Sequence, residues 1–142
     1  MFYKLCKIGV GKNFLQIIKQ QYKETMLALK TQNLHSDFFY LNRGVKQGDS
    51  LRPTLFNVYI NDIEAEFSDK VNQPVQLIDT KLGCLLFADD LLILSETKDG
   101  LQNSLNNLEN YCTKWQLTLN VRKTKTMVLQ SNRMKLENVN FK

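Results

Sequence analysis

Apolar positions along the chain switch between a helical period and short runs, and the switches mark out its elements. Across residues 12–26, Phe14, Leu15, Ile17, Ile18, Tyr22 and Met26 recur at helical spacing, after Gly9 and Gly11 end a shorter N-terminal helix. Residues 27–32 and 37–41 read as two short strands joined through Asn33, Leu34, His35 and Ser36. Residues 42–50 carry two glycines and no helical period, so they read as a loop. Ser50 is the expected N-cap of the next helix, and Pro53 is tolerated in its first turn. That helix is expected to place Leu55, Phe56, Tyr59, Ile60, Ile63 and Phe67 on one face.

Residues 82–95 are two apolar runs separated by Asp89-Asp90, which predicts a hairpin with largely buried strands and the carboxylates at its turn. From Lys98 to Trp115 the apolar residues Leu101, Leu105, Leu108, Cys112 and Trp115 form the core stripe of an amphipathic helix. A last strand is expected over residues 125–130, followed by a polar, basic tail over residues 131–142. Helices and antiparallel strands in mixed order predict an α+β fold, with the helices, including those starting near Ser50 and Lys98, on one face of a sheet. No repeat or low-complexity linker divides the 142 residues, so one domain over residues 1–130 is the economical expectation.

Composition adds limits. With 43% apolar and 23% charged residues, the chain has the balance of a globular protein and not of a disordered tail. The apolar stretch near Phe87 is cut by two aspartates, so no membrane span is expected, and the N-terminus lacks a secretory pattern. Three cysteines (Cys6, Cys84, Cys112) and one histidine, His35, are too few for a disulfide scaffold or a zinc site; idle thiols in a reducing, intracellular setting are expected. The net charge of +5 is unevenly spread. Residues 1–50 hold 8 basic and 3 acidic residues, residues 51–100 hold 4 and 9, and residues 101–142 hold 7 and 2. Basic flanks around an acidic centre suit a polyanion at the sides and a cation in the middle, although an ordinary solvated surface has the same look.

Asp89-Asp90 is the most informative dipeptide. Adjacent carboxylates between apolar strands repel each other, and burying them demands compensation. A divalent cation supplies it, and hard oxygen donors point to magnesium or manganese, the usual partners of substrate phosphates. A solvent-exposed turn also favours aspartate, and spacing alone leaves both readings open.

Phe87-Ala-Asp-Asp90 between hydrophobic strands resembles the active-site hairpin of reverse transcriptases, in the form used by non-LTR (LINE-type) retrotransposons. Arg43-Gly-Val-Lys-Gln-Gly-Asp-Ser-Leu-Arg-Pro-Thr-Leu-Phe-Asn57, with Ile60-Asn-Asp62, is similar to the loop-plus-helix motif that precedes that hairpin. Leu117-Thr-Leu-Asn-Val-Arg-Lys-Thr-Lys125 resembles the motif that follows it. The order fits, as do the gaps of 42 residues from Gln47 to Asp89 and 33 from Asp90 to Lys123. Arg52 departs from the pattern, standing where serine is frequent.

The resemblance implies a polymerase palm that transfers dNTPs to a DNA primer on an RNA template with two Mg2+ or Mn2+ ions, inside the cell, in nucleus or cytoplasm. On it, Asp89 and Asp90 are metal-binding carboxylates and Lys123 the lysine that protonates pyrophosphate, with Lys125 as a neighbouring candidate. Gln47 and Gly48 lie against nucleotide and template, where glycine permits close backbone approach. Arg43 and Lys46 are candidates for neutralising phosphate, and Phe87 is expected to pack beneath the site. The family also places a catalytic aspartate on a strand before the N-terminal helix. Asp37 and Asp79 have the wrong spacing to replace it. The expectation is therefore an N-terminally truncated palm, without fingers or thumb and inactive alone. A non-catalytic nucleic-acid-binding or interaction module, and a fragment of the group II intron type, are the alternatives.

Overall fold

The N-terminal helix is stopped by its own sequence. In the computed structural model, which describes residues 1–23, 26–32, 34–40 and 48–129, α1 (Phe2–Lys7) ends where Gly9 turns left-handed at φ +85°. Gly9 N–H donates to the Cys6 carbonyl and Val10 N–H to that of Leu5, the paired bonds that close a helix on a glycine. The chain forms two compact units, Met1–Asn61 and Asp62–Lys142.

In the first unit, α2 (Lys12–Tyr22) and α3 (Arg52–Ile60) join α1 around buried Leu5, Leu15, Ile18 and Leu55. The helix expected over residues 12–26 is thus shorter, and Met26 begins a strand. That strand, β1 (Met26–Leu27), pairs antiparallel with β2 (Phe39–Tyr40), with a further bridge between Lys30 and His35. The expected hairpin exists, with a shorter ladder.

Two expectations for α3 are corrected. Its N-cap is Leu51, not Ser50, and no side-chain capping bond is made; Asp49 Oδ1 instead accepts from the N–H of Leu51 itself at 2.9 Å, ahead of the first turn. The helix also stops at Ile60, and residues Ile63–Phe67 form a separate 3₁₀ helix. Leu55 is buried with α1 and α2, whereas Ile63 and Phe67 belong to the core of the second unit.

The second unit is built on α4 (Lys98–Trp115). Thr97 caps it by accepting from Gly100 N–H, and Gln116, left-handed at φ +55°, closes it. Leu117 N–H then donates back to the Cys112 carbonyl, which turns Leu117 onto the core. Leu108, Tyr111 and Cys112 of this helix are buried with Ile63, Phe67 and Cys84. Tyr111 satisfies its hydroxyl by donating to Asp62 Oδ1 at 2.6 Å. A second 3₁₀ helix, Lys70–Asn72, lies against α4.

Two hairpins complete the unit: β3 (Val75–Leu77) with β4 (Thr80–Leu82), and β5 (Cys84–Phe87) with β6 (Asp90–Ile93). The first was not legible in the sequence pattern. The described strands form three separate two-stranded sheets and not one sheet. The strand expected over residues 125–130 is absent from the described part, residues 125–129, which is irregular. The fold is α+β. No described helix is long and apolar enough to cross a membrane.

Candidate active site

β5 and β6 are joined by the shortest regular connection a hairpin allows. Phe87 pairs with Asp90, leaving Ala88 and Asp89 as the two central residues. Ala88 is left-handed at φ +51°, a conformation glycine normally takes, and it costs a residue with a Cβ about 1–2 kcal/mol. Asp89 is thereby held at the tip and Asp90 at the first position of β6, both exposed.

Period-2 alternation decides what lies beneath them. Cys84, Leu91 and Ile93 face the core around α4, while Leu85, Phe87 and Leu92 face the other way. Those three are 51%, 82% and 51% exposed, so the expectation of two largely buried strands is corrected: a two-stranded sheet packed on one helix has one covered face. Phe87 likewise is not packed beneath the site. It stands opposite Asp90 on the uncovered face.

Two surface depressions of this unit, of about 390 Å3 along Thr118–Arg122 and about 280 Å3 against Asn72, Asn103 and Asn107, are not lined by either aspartate. The carboxylates sit on an open tip. Among the described residues they are not joined by a third acidic, histidine or cysteine ligand. As donors they fit a hard divalent ion, because Mg2+ is commonly held by one or two carboxylates with water and substrate phosphate completing its shell.

Of the remaining expected site residues, Arg43, Lys46 and Gln47 lie outside the described residues, as does the tail at 131–142. Gly48, in the first unit, is left-handed at φ +84°, and nothing stands within 4 Å of where a Cβ would be. Its requirement for glycine is thus conformational. Lys123 is exposed in a turn where its N–H donates to the Asn120 carbonyl, and Lys125 is exposed beyond it. The basic flank is smaller than the charge count suggests. Lys4 is buried, donating to the Tyr59 carbonyl and lying 5.0 Å over the Tyr59 ring.

Sequence reasoning missed Asp49. Its Oδ2 accepts from the Tyr22 hydroxyl at 2.5 Å while its Oδ1 holds Leu51, so one carboxylate ties α2 to the start of α3 directly after Gly48. Burial and this carboxylate push the Tyr22 hydroxyl up to about 12. An Asp two residues before a helix N-cap, bonding its own backbone ahead, was the available signal.

Residues 2–141 match the family model described as reverse transcriptase (RNA-dependent DNA polymerase). Among curated proteins, the chain is 39% identical over 87 residues to a retrovirus-related Pol polyprotein from a type-1 retrotransposable element R2 of Nasonia vitripennis, covering 61% of this chain and 8% of that protein. It is 30% identical over 115 residues to the R2 polyprotein of Popillia japonica, covering 81% of this chain and 18% of that one. With the RNA-directed DNA polymerase from the mobile element jockey of Drosophila funebris it shares 24% over 129 residues, 87% of this chain and 13% of the relative. The chain thus spans less than a fifth of the length of these relatives. With the aspartate turn between its apolar strands and the match running almost end to end, the chain belongs to the reverse transcriptase (RNA-dependent DNA polymerase) family, in the company of non-LTR retrotransposon proteins.

Proposed function

We propose that this chain supplies the metal-holding turn, and nucleotide and template contacts, of an RNA-directed DNA polymerase that extends a DNA primer with dNTPs. The observation that carries the proposal is the presentation of two adjacent carboxylates, Asp89 and Asp90, at the exposed tip of a hairpin whose other end is packed into a core. Asp89 and Asp90 are the residues that would hold Mg2+ or Mn2+. When bound, such ions stabilise the attacking and leaving oxygens of phosphoryl transfer.

The other assignments follow the matched motifs. Gln47 and Gly48 contact nucleotide and template, with Gly48 reserving a backbone conformation other residues resist. Arg43 and Lys46 neutralise phosphate, and Lys123 is the proton donor, with Lys125 next to it. Since two carboxylates leave a pair of ions short of bridging ligands among the described residues, the chain by itself is expected to be inactive. Its contact with nucleic acid is expected to be weak and salt-sensitive, with Kd of roughly 10⁻⁴ to 10⁻⁶ M.

Grafting tests the reading. Residues 2–141 replace the matched segment of an active R2-type relative, and primer extension on an RNA template is measured with Mg2+. Extension by the graft, lost on Asp89→Asn with folding retained, is the expected result. A graft that folds and binds template but extends equally well with Asp89→Asn overturns it.

A further inference from the structure

The open end of the β5–β6 hairpin, opposite the aspartate turn, is held by a set of bonds that neither the turn nor the hydrophobic core accounts for. Ser95, two residues past β6, donates its hydroxyl to the Asn72 carbonyl at 2.8 Å and lies 3.2 Å from that of Gln73. The next residue repeats the tie, with Glu96 N–H donating to the Gln73 carbonyl at 2.9 Å and Glu96 Oε1 accepting from Gln76 N–H at 3.1 Å.

Asn72 is itself immobilised. It is 1% exposed, its Nδ2 donates to the Glu66 carbonyl at 2.8 Å, and its Oδ1 accepts from Asn107 Nδ2 at 3.2 Å on α4. Asn107 also donates to the Glu66 carbonyl. A buried amide with donor and acceptor both used fixes its backbone closely.

Two glycines let the elements close on this point. A Cβ on Gly100 would stand 2.5 Å from Ser95 Oγ and 2.6 Å from the Asn72 carbonyl oxygen. A Cβ on Gly83 would stand 2.5 Å from the Phe67 carbonyl oxygen. Gly83 also accepts from Leu94 N–H at 2.8 Å, so it is one rung of the same ladder. At its open end the hairpin is therefore gripped through Ser95 after β6, while β5 begins in close approach to the Phe67 backbone at Gly83.

We propose that the Asn72–Ser95 junction is the positioning device of the aspartate turn, fixing the direction in which β5–β6 presents Asp89 and Asp90. Physical necessity supports it. The turn lies five residues from Ser95, about 16 Å along an extended strand. One face of the hairpin is uncovered, so its packing on α4 restrains it from one side alone. An error of angle at the base is magnified at the tip, and metal-assisted chemistry tolerates little misplacement. Asn72 and Ser95 act through the turn and touch no reacting atom.

The proposal rests on the metal-holding reading of Asp89 and Asp90, so its test uses two independent readouts on the intact chain. Hydrogen–deuterium exchange is compared between the β5–β6 amides and those of residues 108–115, for the unaltered chain, Ser95→Ala, Ser95→Thr and Thr97→Ala. Broadening of the residue 88–90 amide signals by Mn2+ is followed in the same proteins. Ser95→Ala is expected to raise exchange in β5–β6 about tenfold, the scale of one lost hydrogen bond, with less than a twofold rise in residues 108–115 and weaker Mn2+ broadening. Ser95→Thr keeps the donor and restores both readouts; Thr97→Ala, which removes the α4 cap and the Thr97 hydroxyl's bond to Gln73 Oε1 but leaves the Ser95 bonds in place, leaves the hairpin ratio unchanged. Absence of Mn2+ broadening in the unaltered chain overturns the metal reading while the exchange ratio still decides the junction. Equal acceleration of α4 and hairpin, loss of the fold in Ser95→Ala, or no rescue by Ser95→Thr overturns the positioning role.

Discussion

In β3–β4 the two residues between Leu77 and Thr80 are Ile78 and Asp79; in β5–β6 the two between Phe87 and Asp90 are Ala88 and Asp89. Each turn begins with a left-handed residue at φ +51° and continues with an aspartate. Backbone geometry therefore does not distinguish the candidate site from its neighbour. Two other things do. The residue after the turn is Asp90 in one hairpin and Thr80 in the other, so only β5–β6 presents a carboxylate pair. The hairpins are also anchored differently: Cys84, Leu91 and Ile93 tie β5–β6 to the α4 core, whereas β3–β4 buries little beyond the half-buried Val75 and Leu82. A metal-holding turn needs both the second charge and the rigid base.

The largest expected difference between the hairpins is in activity. In the graft described above, Asp89→Asn should lower primer extension by about 100-fold or more, the scale of losing one preorganised electrostatic contact. Asp79→Asn should change it less than about twofold, as for a surface substitution away from any such contact. Comparable losses at both turns would erase the distinction.

Stability gives the next contrast. Leu108, 6% exposed, lies in the core that receives β5–β6, and Leu108→Ala should cost about 2–4 kcal/mol by denaturant unfolding. Leu77, 53% exposed in β3, should cost no more than about 0.5 kcal/mol on the same change.

Much of this was legible in the sequence where a period ran long enough to fix a face. The helix spans Lys98–Trp115 as expected, and Leu108, Cys112 and Trp115 of its stripe pack in or against the core, whereas Leu101 and Leu105 are half-buried outside it and Tyr111, which the stripe lacked, is buried there instead. The β5–β6 turn was legible because two aspartates interrupt apolar runs. The outward face of β5 was not, because a continuous run such as Leu85-Leu86-Phe87 gives no alternation from which to choose a side. Ile63 and Phe67 kept the helical spacing of α3 across a break at Asn61–Asp62, and Asp62 is instead engaged by Tyr111. β3–β4 was hidden because Ile78-Asp79 lacks the glycine or asparagine that announces such a turn. Ile78, 93% exposed, carries the strain openly.

That strain supplies a smaller test. Ile78→Gly should stabilise the second unit by about 1 kcal/mol, since a β-branched residue is poorly suited to a left-handed position, and Ala88→Gly should gain less, about 0.5 kcal/mol. Destabilisation by Ala88→Gly alone would show that the aspartate turn depends on its Cβ.

The smallest expected effect is chemical. Burial, and secondarily Glu64, raises the Cys84 thiol above its ordinary value near 9, and burial does the same to Cys112. Both should alkylate more slowly than exposed Cys6, with Cys84 reporting on opening of β5. Because the folded thiols hold their protons longer than the unfolded ones, their contribution to stability is present below pH 9 and is lost as pH rises through the raised values. A chain whose Cys84 reacts as fast as Cys6 has no anchored hairpin.

The most direct measurement titrates Mn2+ into the isotopically labelled chain and follows paramagnetic broadening of the backbone amides in both turns at once. Broadening centred on Ala88, Asp89 and Asp90, sparing Ile78, Asp79 and Thr80 and abolished by Asp89→Asn, is the predicted result. Equal broadening of the two turns, or none at Asp89 and Asp90, would contradict the assignment of this hairpin as the metal-holding element.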